Sequence, residues 1–515
     1  MRKLKGLWKL LFGRTTLLVV LILVQALIIV AGFALLEKQF YIINQMGGIV
    51  ALIILFYILN SQQNTSFKLT WIILILTLPV LGVAFYLFTR VQPCTKYVSG
   101  LVDNAIRRQE PYLAQNEDVL DELQNISKKN AGLARYIHDS GHYPAYRDTQ
   151  VKYLPTGEEK YKELLIQLER ARKFIFMEYF IVEEGVMWNS ILEILERKVK
   201  EGVEVRFLYD GTNSLSLLPP TYPKTLEKKG IRCKVFAPMM PFLSTHQNNR
   251  DHRKIVVIDG HTAFTGGVNL ADEYINEVER FGHWKDTAVM VKGPAVNSFT
   301  LMFLQNWDAA AKKPTNPALY MCSDFPQEQG LASDGFVIPY GDSPFDNENV
   351  GERVYMDILY NAKKYVHIMT PYLILDEGME EALIYAVKRG VEVVIMMPHI
   401  PDKEYAYLLA RTHYKYLISN GVKIYEYTPG FVHAKVFTSD DEKAVVGTIN
   451  MDFRSLYLHF EDAVFMYRHS EIANVEKDFQ RTLEKCHQIT LADCNSYSTA
   501  KRLLGAVLRL VAPLM

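Results

Sequence analysis

Cysteine is scarce in this chain: five residues among 515, at Cys94, Cys233, Cys322, Cys486 and Cys494. The number is odd and no two have C-x-x-C spacing. That excludes a disulfide framework and a zinc site built on paired thiols. An excess of one charge is also missing. Fifty-seven Lys and Arg balance 57 Asp and Glu, for a formal net charge of zero. A dedicated nucleic-acid binder carries a basic surplus, so no nucleic-acid partner is expected. The marks of disorder are absent too, since 49% of residues are hydrophobic and only 22% charged.

What the chain does have is long apolar runs near its start. Residues 15–36 contain one amide, Gln25, and no charge, which is enough to span a bilayer. Residues 69–88 form a second span with Pro79 as a kink. Residues 46–59 are shorter and reach spanning length only if 41–45 are added. Trp8, Tyr41, Tyr57 and Trp71 sit near the ends of these runs, as interfacial aromatics do. Residues 1–90 are therefore expected to be a membrane anchor of two or three transmembrane helices, in a multi-pass protein of the cell membrane. The first run is too long for an ordinary cleaved signal. Arg2, Lys3, Lys5, Lys9 and Arg14 predict a cytoplasmic N-terminus. The side on which the rest lies depends on the number of spans and is left open. The oligomeric state is not legible.

The remainder is written twice. HRKIVVIDG at 252–260 and HAKVFTSDD at 433–441 share His, x, Lys, four residues, Asp. A Gly follows seven residues after each Asp (Gly266, Gly447), and an Asn three later (Asn269, Asn450). Two chance matches to the first part alone have odds on the order of one in a thousand, so the pattern is a duplication. It extends upstream. ERARKFIFMEYFIVEEG and KVKEGVEVRFLY in 169–209 match YNAKKYVHIMTPYLILDEG and AVKRGVEVVIMM in 360–397. Each unit reads helix, strand, acidic turn, helix, strand, then a Gly and a third strand. Leu164, Leu165 and Leu168 give the helical spacing, and β-branched and aromatic runs give the strands. The expected fold class is α/β, with parallel pairs in each sheet. Domains are expected at 136–311 and 350–515. A polar helical stalk at 91–135 precedes the first, and a linker rich in Pro, Gly, Asp and Ser at 312–349 joins them. A basic amphipathic helix with Lys501, Arg502 and Arg509 ends the second. It could lie on the membrane interface or pack against its own domain.

Placed on strands, His252 with Lys254, and His433 with Lys435, share one face. Asp259 and Asp440 stand seven positions from their His, an odd offset that turns them away. They are grouped with the catalytic motif, but their expected task is to fix the turn after the strand. Two homologous domains pack about a pseudo-two-fold axis, which brings both His, both Lys and both Asn to a shared active site. Lys254, Lys435, Asn269 and Asn450 can cradle a phosphate. The histidines can then work in line across phosphorus, one as nucleophile and one as acid. The lysines supply the positive charge, so no metal and no cofactor are expected. Each His needs an acceptor on its second nitrogen, and Asp286 and Glu461 are the candidates.

These residues resemble the phospholipase D superfamily, whose mark is the double H-x-K-x4-D. GGVNLADEY at 266–274, FVHAKVF at 431–437, GTINMDFRSLYLHFE at 447–461, MTPYLI at 369–374 and the run KLTWIILILTLPVLG at 68–82 are similar to bacterial cardiolipin synthases. His459 departs from that pattern, which has Asn before Phe-Glu. The resemblance implies two tandem phospholipase D-like domains. It also implies transfer of a phosphatidyl group from one phosphatidylglycerol to another, giving cardiolipin and glycerol through a phosphohistidine. By the same analogy His252 is the nucleophile and His433 the acid, then base. Rival readings are a hydrolase, a transferase using another alcohol, a nuclease, and an inactive membrane scaffold. Membrane phospholipids are the expected partners.

Overall fold

The computed structural model describes residue 27 and residues 40–90, 93–213, 217–238, 248–346 and 348–514. Two sheets follow one plan. The first contains β1 (Gln150–Leu154), β2 (Phe174–Tyr179), β3 (Glu204–Asp210), β4 (Arg232–Phe236), β5 (Ile255–Ile258), β6 (Thr262–Gly266) and β8 (Ala288–Lys292), in the order β1-β8-β6-β5-β2-β3-β4. The short β7 (His283–Lys285) stands outside it. The second contains β9 (Phe336–Asp342), β10 (Tyr365–Met369), β11 (Glu392–Pro398), β12 (Lys423–Tyr427), β14 (Val436–Ser439), β15 (Lys443–Gly447), β16 (Glu461–Tyr467) and β17 (Cys486–Gln488). Its order is β9-β16-β15-β14-β10-β11-β12-β17, the first plan with one strand added at the edge. The remaining strand, β13 (Gly430–Val432), pairs in parallel with β7 of the first half.

Parallel pairing holds for only part of each sheet. β2, β3 and β4 are parallel, as are β10, β11 and β12, each joined through a helix. Beyond β2 and β10 the sheets turn antiparallel. The hairpins β5–β6 and β14–β15 explain the change. Each has a three-residue loop that opens with two left-handed residues, Asp259 and Gly260 in one, Asp440 and Asp441 in the other. Asp and Gly tolerate that conformation, and it matches the twist of paired strands. The helix Val296–Ala311 is buried on nearly all sides and packs on β2, β4, β5 and β9, so one core runs through both halves.

Several boundaries differ from the sequence reading. The expected linker 312–349 contains β9, every residue of which is buried as the edge strand beside β16. Its Pro339 and Gly341 hid it, because an edge position tolerates residues that weaken an interior strand. The expected stalk 91–135 is helical, over Pro93–Gln109, Glu117–Ile126 and the start of Lys128–Gly141. It is not free-standing: Val102, Leu120, Leu123 and Leu133 are buried in the common core.

The expected span 69–88 is two helices, Thr65–Thr77 and Pro79–Arg90. A Cβ on Gly82 would lie 2.8 Å from Ile75 Cα, whereas seven residues of continuous helix would separate them by about 10 Å. The chain therefore doubles back at Leu78–Pro79, where proline removes a donor and disfavours helix at the preceding residue. The run 46–59 falls in the helix Phe40–Asn60, against which both pack. No helix among the described residues is long and apolar enough to cross a membrane. The run 15–36 lies outside the described residues, apart from Leu27. The C-terminal helix Thr499–Val511 lies against the helix Glu404–Ser419, with Gly505 giving close approach to Thr412. Its Leu503, Leu504, Val507 and Leu510 remain exposed.

Candidate active site

The motif histidines do not sit within strands. His252 and Lys254 lie just before β5, and His433 and Lys435 lie between β13 and β14. There the backbone of each half crosses to the other. His252 N donates to Phe460 O at 2.9 Å, and His433 N donates to Lys285 O at 2.7 Å. Phe460 and Lys285 immediately precede the acids Glu461 and Asp286. Each His is thus docked by backbone beside the carboxylate of the opposite half, the reciprocity a two-fold axis requires.

The side chains follow. His252 Nδ1 is 2.9 Å from both carboxylate oxygens of Glu461, and His433 Nδ1 is 2.6 Å from Asp286 Oδ2. A carboxylate accepts only, so each ring donates from Nδ1 and keeps Nε2 for chemistry. Burial pushes the His252 ring well below the ordinary histidine range, against the pull of Glu461. Burial and Lys435 bring His433 down to about 4. Burial opposes ionisation of Glu461, but the His252 and His459 rings outweigh it and hold the carboxyl well below its usual range. The pair is therefore a neutral imidazole on an ionised carboxylate, with Nε2 a free nucleophile or base.

Both histidines line one cavity of about 330 Å³, together with Asn269, Asn450 and His459. Asn269 is already engaged: its Oδ1 accepts from Ile181 N, and its Nδ2 donates to Tyr274. Asn450 keeps a buried Oδ1 without a partner. The ammonium groups of Lys254 and Lys435 donate to the carbonyls of His252 and His433, and Lys435 Nζ is also 3.0 Å from His433 Nδ1. Burial lowers Lys254 to about 8 and Lys435 to about 7. Both remain within reach of protonation near neutrality, and an entering anion favours it.

Asp259 and Asp440 lie at the far ends of their strands. Asp259 accepts from the backbone N–H groups of Arg172, Lys173 and Phe174. Asp440 does the same for Lys363, Lys364 and Tyr365. Neither carboxylate lines the cavity. Each ties the hairpin turn to the start of the neighbouring central strand. The motif glycines permit the close approach of the acid-bearing segment. A Cβ on Gly266 would lie 2.4 Å from Thr287 O, and one on Gly447 would lie 2.4 Å from Asp462 O.

Other residues of the site escaped the sequence reading. Phe180, Tyr274 and Trp284 are rings against the two histidines. Arg253 reaches the carbonyls of Met302 and Glu461, and Arg250 reaches Ala237 and Asp210, bracing the His252 segment on both sides. Thr448 donates to Glu461 and Thr265 to Asp462. The signal for Trp284 was its offset: it precedes Asp286 by two, as His459 precedes Glu461.

The family model described as "Cardiolipin synthase, PLD-like domain" matches residues 164–307 and 355–483, and "Phospholipase_D-nuclease N-terminal" matches 49–90. The chain belongs to the cardiolipin synthase family of phospholipase D-like proteins. A family member named cardiolipin synthase from Alkalihalophilus pseudofirmus is 33% identical over 96% of this chain and 98% of its own. Another of that name, from Halalkalibacterium halodurans, is 33% identical over 93% and 95%. An uncharacterized protein of Streptococcus mutans is 50% identical over 89% of this chain and 99% of its own. Among solved structures, a phosphatidylserine synthase of Haemophilus influenzae shares the fold, with TM-score 0.58 and 14% identity over 74% of this chain and all of that one.

Proposed function

We propose that this protein is a phosphatidyltransferase that makes cardiolipin and glycerol from two molecules of phosphatidylglycerol. The observation that carries the reading is the crossed pair of His–carboxylate contacts on one cavity, in a chain matched along nearly its full length by cardiolipin synthases. In the first step His252 Nε2 attacks phosphorus, and the bond to the glycerol headgroup breaks. His433 gives that oxygen a proton, while Lys254 and Lys435 carry the charge of the phosphate. For this His433 must first take up a proton, which the bound phosphodiester anion favours against burial. In the second step a hydroxyl of another phosphatidylglycerol gives its proton to His433 and attacks phosphorus, and the P–N bond breaks. Lys254, Lys435 and Asn450 bind phosphate, and Asn269 shapes the cavity wall. Asp259 and Asp440 act as structural ties.

Membrane attachment fits the substrate, since a diacyl lipid leaves the bilayer reluctantly. Leu52, Ile53, Phe56 and Leu76 of the N-terminal helices are exposed, as are Leu503 and Val507 of the C-terminal helix beside Lys501 and Arg502. The two regions touch, because Thr70 donates to Leu510 O. Ala512, at the end of that helix, lines the cavity. We place this apolar face on the bilayer, with the cavity opening beside it. The experiment is incubation of the purified full chain in detergent with phosphatidylglycerol alone. Cardiolipin and glycerol in equal amounts are expected. Phosphatidic acid as the lipid product would make the protein a hydrolase.

A further inference from the structure

His459 is buried to all but 7% of its surface and lines the cavity, yet neither ring nitrogen has a hydrogen-bond partner. Its Nδ1 stands 3.6 Å from Glu461 Oε1, a charge contact too long for a hydrogen bond. An imidazole with Nδ1 turned to that carboxylate directs Nε2 away from it. The ring centroid is 5.5 Å from that of His252. A buried polar group left unpaired costs about 1–3 kcal/mol, so a ring held this way inside a reaction cavity calls for a partner from the ligand.

The pseudo-symmetric position sharpens the point. Trp284 precedes Asp286 by two and stands 5.3 Å from His433, just as His459 precedes Glu461 by two and stands beside His252. With a tryptophan at the matching place and Asn in the family pattern, packing does not demand a histidine here. A histidine there adds hydrogen-bonding capacity on the His252 side that packing does not require.

We propose that His459 is a further phosphodiester-binding residue, donating from Nε2 to an oxygen of the phosphate group held between His252 and His433. This rests on the phosphodiester reading of the cavity. The ring then stands between two acceptors, the Glu461 carboxylate on its Nδ1 side and the phosphate on its Nε2 side. A cation is a poorer occupant, because the Lys254 and Lys435 ammonium groups are buried against the His252 and His433 segments and would repel it.

The test compares His459→Phe, which keeps the ring and removes both nitrogens, with His459→Asn, which restores one amide donor. Orthovanadate, a tetrahedral oxyanion, is the probe. Its binding to the full chain in detergent is measured by titration calorimetry, alongside kcat/KM on phosphatidylglycerol. His459→Phe is expected to weaken vanadate binding and kcat/KM each by about a hundredfold, the scale of losing one oxyanion donor. His459→Asn is expected to recover both to within about tenfold of the parent. If His459→Phe does not fold, judged by near-ultraviolet circular dichroism, His459→Leu takes its place. Unchanged vanadate affinity in the donor-less variant overturns the proposal, whatever turnover does. So does an Asn variant no better than Phe, which would make the ring a packing element. A parent protein that binds vanadate but forms no cardiolipin overturns the function reading instead, and the vanadate contrast still decides His459. A parent that binds no vanadate overturns both.

Discussion

The two halves of the molecule share a strand plan, a motif and a hairpin turn, yet they do not present the same site to a substrate. On the His252 side the acid is the longer Glu461, which also takes a hydrogen bond from Thr448 and faces the second imidazole of His459. On the His433 side the acid is Asp286, the ring is Trp284, and Thr448 is replaced by Gly267. A Cβ on Gly267 would lie 2.0 Å from Asp286 Oδ1, so the shorter acid sits against bare backbone. The difference teaches that duplication supplied the scaffold and local substitution divided the labour. One side is rich in hydrogen-bonding groups around its imidazole. The other encloses its imidazole in aromatic rings, where Lys435 lies against the ring nitrogen.

The largest effects should come from removing either histidine, and the choice of substrate can then break the symmetry. With phosphatidylglycerol, His252→Ala and His433→Ala should each lose about 10⁴-fold or more in kcat. With a p-nitrophenyl phosphodiester the leaving group needs no proton. His433→Ala should then still release nitrophenolate in a burst and carry phosphorus on His252, while His252→Ala should give no burst. Mass spectrometry of the quenched protein reads the adduct. An adduct on His433 in the His252→Ala protein would reverse the two roles.

Removing the carboxylates comes next. Glu461→Gln and Asp286→Asn keep shape but disturb the imidazole tautomer, and each should cost about 10²- to 10⁴-fold in kcat. Equal losses would show that the Thr448 and His459 contacts to Glu461 add nothing to its hold on His252. A milder loss in Glu461→Gln would show that they support the ring without the charge.

pH separates the lysines. Protonated lysine binds the phosphate, and burial has lowered both, so charge is lost as pH rises through about 7 at Lys435 and about 8 at Lys254. His252 is already neutral in that range, and the proton that His433 must take up becomes scarcer with each rise in pH. In the free enzyme kcat/KM should therefore fall across the whole range, and the fall should steepen above about pH 7 and again beyond about 8. Initial rates at subsaturating phosphatidylglycerol between pH 5.5 and 9.5 test this. A decline that does not steepen by pH 9.5 would mean that the ammonium groups are not what binds the substrate anion.

The His–Lys pairs were legible because they are written in fixed register in both copies. His252, Lys254, His433, Lys435 and their acids needed only the assumption of a two-fold axis to be brought together. The three-strand parallel part of each sheet was legible from its helix–strand alternation. What could not be read depended on packing across distance. β9 is fully buried, but its Pro339 and Gly341 read as a loop until β16 is beside it. The helices at 91–135 look solvated because their narrow apolar faces carry few residues, and only docking shows where Leu123 and Leu133 go. The doubling back at Leu78–Pro79 is a tertiary contact that an apolar run does not encode. Trp284 shares a position with His459 but not a residue type, so identity matching passed over it, and His459 stood out only as a departure from the family pattern.

The smallest contrast concerns the motif aspartates, which were grouped with catalysis although the odd offset turned them away from it. Each accepts three backbone N–H bonds across a hairpin, but Asp259 is buried and Asp440 is partly exposed. A hydrogen bond to a charged group contributes about 1.5–3 kcal/mol when desolvated, and less where water competes. Asp259→Ala should therefore lower unfolding stability by about 3 kcal/mol, and Asp440→Ala by about 1 kcal/mol. Asn at either place keeps an acceptor and tolerates the left-handed backbone, at φ 53° in Asp259 and 57° in Asp440, so it should recover roughly half of each loss. Urea unfolding followed by near-ultraviolet circular dichroism measures this. Because the turns lie at the far ends of β5 and β14, the folded variants should keep kcat within about threefold of the parent. A folded Asp259→Asn protein with catalysis reduced a hundredfold would return that residue to the chemistry and would show that the strand transmits its turn to His252.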